Sequence, residues 1–314
     1  MAIPANQRVV IPSIPARPPR ISLIGTAPTL DTGGARWENG FRMRPEKDYP
    51  QHMDPTGASP SHVAGGIEPA DDCVIGARPF NANRDTAPAI IDAEPMLIWQ
   101  IDVCSTLGWA AADYAGRALR ALEAQRSYRL AQEVWEGRVS HDRGLPNVAL
   151  TDGNGYTAAP IESHKALNLV EQALGDVHGG AQGMIHMSPQ VFGALVTNGG
   201  VRWSDSQQRY LSPMENLIVA DAGYRGASPL GSAAAGALPA ASQWIYGTSM
   251  LYLVHDEPQL VPAADENAMR LSIDRATNTV TQYAQQVWGY MFANDGNGDS
   301  IIGAEVDIAL PPIY

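Results

Sequence analysis

The sequence predicts an α+β chain, with one very long helix set among mostly antiparallel strands. Three observations predict this. The stretch 105–138, STLGWAAADYAGRALRALEAQRSYRLAQEVWEGR, is rich in Ala, Leu, Arg, Glu and Gln, all strong helix formers. Short apolar runs bounded by turn residues recur at 183–187, 216–220, 244–246 and 250–256. Near the end, Thr279, Thr281 and Tyr283 alternate with Val280, Gln282 and Ala284, the period of a strand.

The helix comes first because everything else is laid against it. Ser105 is read as its N-cap and Gly137 as its stop. At 1.5 Å per residue it would run roughly 50 Å. Its apolar face turns along the length. Leu107, Ala111, Tyr114, Ala115, Ala118, Leu119 and Leu122 share one side; Tyr128, Leu130, Ala131, Val134 and Trp135 lie mostly on the other. Such a helix needs two packing partners. It is either a long core helix of one large domain, or part of it meets another element or another subunit.

Elsewhere, residues 1–40 hold six Pro and no repeating period, which predicts an extended arm, either a disordered tail or a strap along a neighbouring subunit. Residues 41–80 are punctuated by Pro and Gly and read as an irregular loop or a projecting hairpin. Residues 88–103 carry β-type runs leading into the helix. Pro160 opens a second helix over 161–174, with Leu167, Val170 and Leu174 on one face and Gly175 beyond its end. GMIHM at 183–187 reads as a strand. Ser188-Pro189 then starts a short helix over 190–197, stopped by Asn198-Gly199-Gly200. NLIVA at 216–220 is a strand followed by the turn Asp221-Ala222-Gly223; residues 226–242 are a small-residue loop; 244–246 and 250–256 are strands. Long strands follow, and AEVDIALPPIY supplies the last.

The totals narrow the function. The chain has 314 residues, 45% hydrophobic and 17% charged, which predicts a globular protein of one large or two medium domains. No apolar run of 18 residues is present and the first twenty residues lack a signal-peptide h-region, so no membrane span or signal peptide is expected. Cys73 and Cys104 are too few for a disulfide framework and fit a reducing compartment. The net charge of −12 argues against a surface that grips nucleic acid. Lys occurs only at 47 and 165; the bias to Arg is read as a GC-rich genome.

No catalytic constellation is found. The sequence lacks G-x-S-x-G, a Walker loop, H-E-x-x-H and C-x-x-C. The Gly-rich run 179–183 precedes a strand instead of following one. Residues 295–299, DGNGD, resemble half a calcium loop, but Ser300 stands where Gly is needed and Val306 where Glu is needed, so they read as a turn. His186 reads as a structural histidine in a strand, and Cys104 as a packed thiol. No enzyme activity, cofactor or metal site is expected.

The order of parts resembles that of the Hong Kong 97-type major capsid proteins of tailed bacteriophages. The segments IDVCSTLG (101–108), EVWEG (133–137), MIHMSP (184–189), VADAGYRG (219–226), WIYGT (244–248) and DRATNTV (274–280) resemble those of a group from phages of actinobacteria. The resemblance covers about residues 85–310; the arm and loop region match in position and composition only. It implies an N-terminal arm over 1–40, an E-loop region over 41–85, and a P-domain over 86–180 holding the spine helix 105–138. An A-domain over 181–260 and P-domain return strands with a C-terminal strand over 261–314 would follow.

The function so implied is assembly. Identical chains would form a homo-oligomer of pentamers and hexamers that closes into an icosahedral virion capsid around double-stranded DNA, without sequence-specific binding or a membrane. Assembly would take place in the host bacterial cytoplasm. Portal and decoration proteins are possible partners. Only about 85 residues precede the P-domain segment, so a separate scaffold protein or none is expected. Lys47 is the positional candidate for a cross-link. Arg17, Arg20, Arg42 and Arg44, with Trp109, Tyr128 and Trp135, are chosen as subunit-interface residues, because Arg and aromatic side chains dominate interface energetics. Two alternatives stand beside this: an encapsulin-type cargo shell of the same fold, and a hydrolase with an unrecognised active site.

Overall fold

The computed structural model describes residues 19–31, 41–43, 91–105, 111–155, 157, 159–178, 181–225, 242–261, 273–274, 276–292 and 301–307. The chain enters through α1 (Leu23–Thr26), β1 (Thr29–Asp31), β2 (Phe41–Met43), β3 (Ile91–Ala93) and β4 (Met96–Ser105). Helix α2 (Ala111–Glu136) follows, then α3 (Arg138–Arg143), a 3-10 turn (Leu150–Asp152), β5 (Asn154–Gly155), β6 (Ile161–Glu162) and α4 (Ser163–His178). Next come β7 (Met184–Met187), α5 (Pro189–Thr197), β8 (Arg202–Ser204), β9 (Arg209–Leu211) and β10 (Leu217–Ala220). The last strands are β11 (Ser242–Thr248), β12 (Leu251–His255), β13 (Gln259–Val261), β14 (Ile273–Asp274), β15 (Thr279–Phe292) and β16 (Ile302–Asp307).

Strand β15 is the axis of the first sheet. One edge carries β4 antiparallel, from Thr279↔Ser105 to Trp288↔Met96. The other carries β14, β13 and β12 in succession, with β1 added parallel to β12. Burial alternates along β15 as the sequence period predicts: Val280, Gln282, Ala284, Gln286 and Trp288 turn inward.

The second sheet runs β8-β9-β10-β7-β11-β16, with β5 and β6 also on β16. Its central strands are buried on both sides. Ile185, Ile218, Ile245 and Ala304 meet Leu167, Val170 and Leu174 of α4, while Met184, Val219 and Tyr246 meet Trp135 of α2 in the other core. Double coverage explains why MIHM and LIVA read as continuous apolar runs instead of alternating.

Helix α2 supplies the prediction of two packing partners, and one subunit provides both. Ala118 and Leu122 lie in the core shared with Met96, Ile98, Ala284 and Trp288 of the first sheet. Further along, Trp135 packs against Tyr224 with the rings tilted by 34° and edge-on to Tyr246 of β11, each at 4.9 Å. Gly223 touches the helix backbone, where a Cβ would lie 2.4 Å from the Tyr128 carbonyl oxygen. The helix ends at Gly137 in the left-handed region (φ +59), as expected. Glu133 then reaches past it and accepts from the backbone N–H groups of Val139 (2.9 Å) and Ser140 (2.8 Å), holding the first turn of α3.

Several expectations are corrected. Ser105 is not an N-cap: it ends β4, paired with Thr279, because the long partner β15 extends the strand that far. Residues 161–162 form a strand on β16, so the second helix starts at Ser163, and Gly175 lies inside it, where no neighbour crowds it. Not all of 1–40 is an arm: residues 19–31 are built into the subunit, with Leu23 fully buried. Ser188 does cap a helix with Pro189 at its first position. The arm before residue 19, residues 44–90 of the loop region and the small-residue loop 226–241 lie outside the described residues.

The contact of Gly223 with α2 is testable. Gly223→Ala should push the helix from the 221–224 turn and cost roughly 1–3 kcal/mol. An unchanged thermal midpoint would mean that the turn and helix are not in contact.

Candidate functional site

The described residues offer no reaction centre to build from. No group of three or more His, Cys, Asp or Glu among them is placed to hold a metal. No described helix is long and apolar enough to cross a membrane. What the sequence does build is a joint. The short segment 19–31 straps the two sheets together beside α2.

Each end of the strap is fixed by backbone chemistry. The Ala220 N–H at the end of β10 donates to the Ile21 carbonyl at 2.9 Å. One residue on, the Asp221 carboxylate accepts from the Leu23 N–H at 3.1 Å, the Ser127 hydroxyl at 3.1 Å and the Gly223 N–H at 3.0 Å. One buried side chain thus ties strap, long helix and second sheet. Ser22 caps α1 by accepting from the Gly25 N–H at 3.2 Å. Past α1 the Leu253 N–H donates to Pro28, and β1 joins β12 of the first sheet. Burial raises the Asp221 carboxyl above its ordinary pKa, against the pull of its hydrogen bonds. A crevice of about 330 Å³ lies at the joint, lined by Pro19, Ile21, Tyr128, Phe192 and Asp221.

Among the described residues His186 is the most perturbed base. It is fully buried, with Nδ1 2.9 Å from the Tyr224 hydroxyl and Nε2 3.0 Å from the Thr248 hydroxyl. Thr248 gives its own proton to the Ser249 carbonyl, so Nε2 is the donor to Thr248 and Nδ1 accepts from Tyr224. The imidazole is neutral, because burial lowers its pKa to about 3. It is a satisfied core histidine, as its strand setting suggests.

The chosen interface residues scatter. Arg20 is exposed and donates to Gln208 at 2.9 Å. Tyr128 is half-buried at the joint, its hydroxyl accepting from Arg225 at 2.9 Å. Trp135 is a correction: it is wholly buried in the subunit's own core, on the side of α2 turned to the second sheet, and does not face another chain. Arg42 lies in β2, its side chain outside the described residues; Arg17, Arg44 and Trp109 lie outside them altogether, as do Lys47, Cys73, the side chain of Cys104 and the turn at 295–299.

Sequence reasoning missed two features. Asp221 was legible only as a turn residue, since its partners Leu23 and Ser127 are 198 and 94 residues away. The second is the outer face of β4, which carries Leu97, Trp99 and Val103 exposed to solvent. Its signal was present in LIWQIDV, where Leu97, Trp99, Ile101 and Val103 share one parity, and Ile98, Gln100 and Asp102 the other.

No protein-family model matches the chain, and no curated protein matches it. Solved structures do. The capsid of an empty GTA particle is 12% identical, covering 97% of this chain and 95% of that one with a TM-score of 0.51. The capsid of the native GTA particle is 13% identical over 95% and 96%, with a TM-score of 0.50. A structure titled Microbacterium phage Oxtober96 is 12% identical over 96% and 95%, at 0.49.

Two outcomes follow from the joint and the buried base. Asp221→Ala leaves the Leu23 and Gly223 N–H groups and the Ser127 hydroxyl without their acceptor, and should cost roughly 1–3 kcal/mol. Hydrogen exchange over 20–31 should quicken, less so in Asp221→Asn, and unchanged exchange there would reject the clamp. For His186 the folded pKa lies below the unfolded one. Its contribution is therefore complete above about 6.5 and is lost as the pH falls towards about 3. Denaturant midpoints of His186→Gln should fall less steeply over that window than those of the parental chain; parallel curves would sink the assignment.

Proposed function

We propose that this chain, whose fold is the Hong Kong 97-type capsid fold, is the major structural subunit of an icosahedral shell that encloses the double-stranded DNA of a tailed phage. The observation that carries the reading is the match of almost the whole chain, from end to end, to a capsid subunit. The subunit acts by association through pentamers and hexamers and is not an enzyme.

The physics of the subunit suits that role. Two sheets tied to one long helix and a strap make the subunit, and edge contacts that are each weak add up in a closed array. Net charge of −12 gives an inner wall that does not trap packed DNA. A separate scaffold, a portal and decoration proteins would be partners, with assembly in the host cytoplasm and residence in the virion.

The test is direct. The chain is expressed alone and with the products of its neighbouring genes, fractionated by size and imaged by negative-stain electron microscopy. Closed shells or five- and six-membered rings are expected, and particles from the host should contain DNA protected from nuclease. A monomer under all these conditions would reject the reading; shells holding a protein cargo and no DNA would reject the phage role.

A further inference from the structure

The Pro-rich run before the strap carries a pattern that the fold above does not use. In IPSIPARPP (11–19) residue types recur in threes. Pro12, Pro15 and Pro18 form one line, Ile11, Ile14 and Arg17 the next, and the small Ser13 and Ala16 the third. Three residues per turn is the period of the polyproline helix, on which these lines become a proline ridge beside an apolar ridge ending in a guanidinium. Residues 1–18 hold Arg8 and Arg17 and no acid.

The crevice at the joint has the complementary make-up. Its volume of about 330 Å³ falls within the ~300–1,000 Å³ of ligand pockets. Tyr128, Pro189 and Phe192 give it aromatic and apolar walls. The aromatic wall continues outward: Phe192 meets Tyr210 edge-on at 5.0 Å, and Tyr210 meets Trp203 edge-on at 5.1 Å. Asp221 is already taken by its three donors, which leaves Glu123 for a cation. Its side chain is 42% exposed, and the Arg126 guanidinium beside it, 3.9 Å away, is too far for a hydrogen bond. Aromatic-lined grooves are what Pro-rich segments dock into, since the fixed φ of Pro leaves little entropy to lose. A carboxylate beside such a groove takes an Arg.

Position selects the occupant. Pro19 is itself part of the crevice wall, and it is held there: its carbonyl accepts from the Ser22 N–H at 2.9 Å. Residue 18 is bonded to that wall, so residues 11–18 start at the rim with no linker to span. We propose that the crevice is the docking groove for residues 11–18 of the same chain, with the Pro and Ile ridges against Tyr128 and Phe192 and Arg17 paired to Glu123. Tethering gives the segment an effective concentration on the order of millimolar, which favours it over a free competitor. Docking keeps the arm on its own subunit and covers the apolar walls, whether or not the subunit forms a shell.

The experiment uses the full-length chain with a benzophenone photo-crosslinking side chain at position 14. Heavy-isotope-labelled and unlabelled chains are mixed, irradiated and mapped by mass spectrometry. Cross-links to 123–128, 189–192 or 220–222 within one chain are expected. Links at those positions that join a labelled to an unlabelled chain would give the groove to a second copy and overturn the assignment, as would links elsewhere or none. A second measurement needs no cross-linker. Amides of 190–193 and 220–224 should exchange roughly fivefold faster in Ile14→Asp than in the parental chain. They should stay parental in Ala2→Asp, which adds the same charge away from the repeat. Exchange over 251–255, in β12, should match in all three chains. Parental exchange in Ile14→Asp overturns the proposal, as do equal gains in both variants. A gain that extends to 251–255 marks unfolding instead of an uncovered groove and counts against it too.

Discussion

The subunit depends on one constraint: a single helix has to bury itself against two sheets at once. A helix presents a stripe, and a stripe of fixed direction serves one partner. Helix α2 solves this by rotating its apolar set. Ala118 and Leu122 serve the first sheet, and Leu130, Ala131, Val134 and Trp135 reach the second sheet and the turn beside it. Close approach at Gly223 and the packing of Trp135 with Tyr224 and Tyr246 leave little freedom at the second contact. The two sheets are thereby fixed to a common rod.

The strap secures the same relation from the other side. Ile21 and Leu23 are held at the end of β10, Pro28 and β1 at β12. Glu171 performs a similar service within the second sheet, accepting from Ser212 and from the Met214 N–H and so pinning the 212–216 loop to α4. In each case a buried carboxylate is surrounded by donors, which is the condition under which burying a charge is tolerable. Rigidity here comes from a few polar clamps set between apolar layers.

Much of this was legible in the sequence, and what was not shares a cause. Strands buried on both faces announced themselves as MIHM and LIVA, and the Ser188-Pro189 start of α5 carried its own local chemistry. The helix boundary near Ser105 was misread because local capping preference competes there with a distant strand, and ten residues of pairing with β15 decide. The strap was misread because Pro-rich composition describes the unbound chain, whereas Leu23 and Asp221 find each other only in the fold. Trp135 was taken for a surface anchor because its residue type suits interfaces; only the second sheet reveals which way that side of α2 faces. Interactions closing over tens to hundreds of residues are invisible to local pattern.

The strap also sets a schedule. Leu23 is made 198 residues before its acceptor. At about 5–20 residues per second, the segment waits roughly 10–40 s before its site exists. The partner of β4 is made later still, since β15 does not begin until Thr279. Each early segment thus waits for a partner made much later. The two sheets cannot close until β15 and β16 have left the ribosome, so chains still being translated lack the finished edges from which a particle would be built.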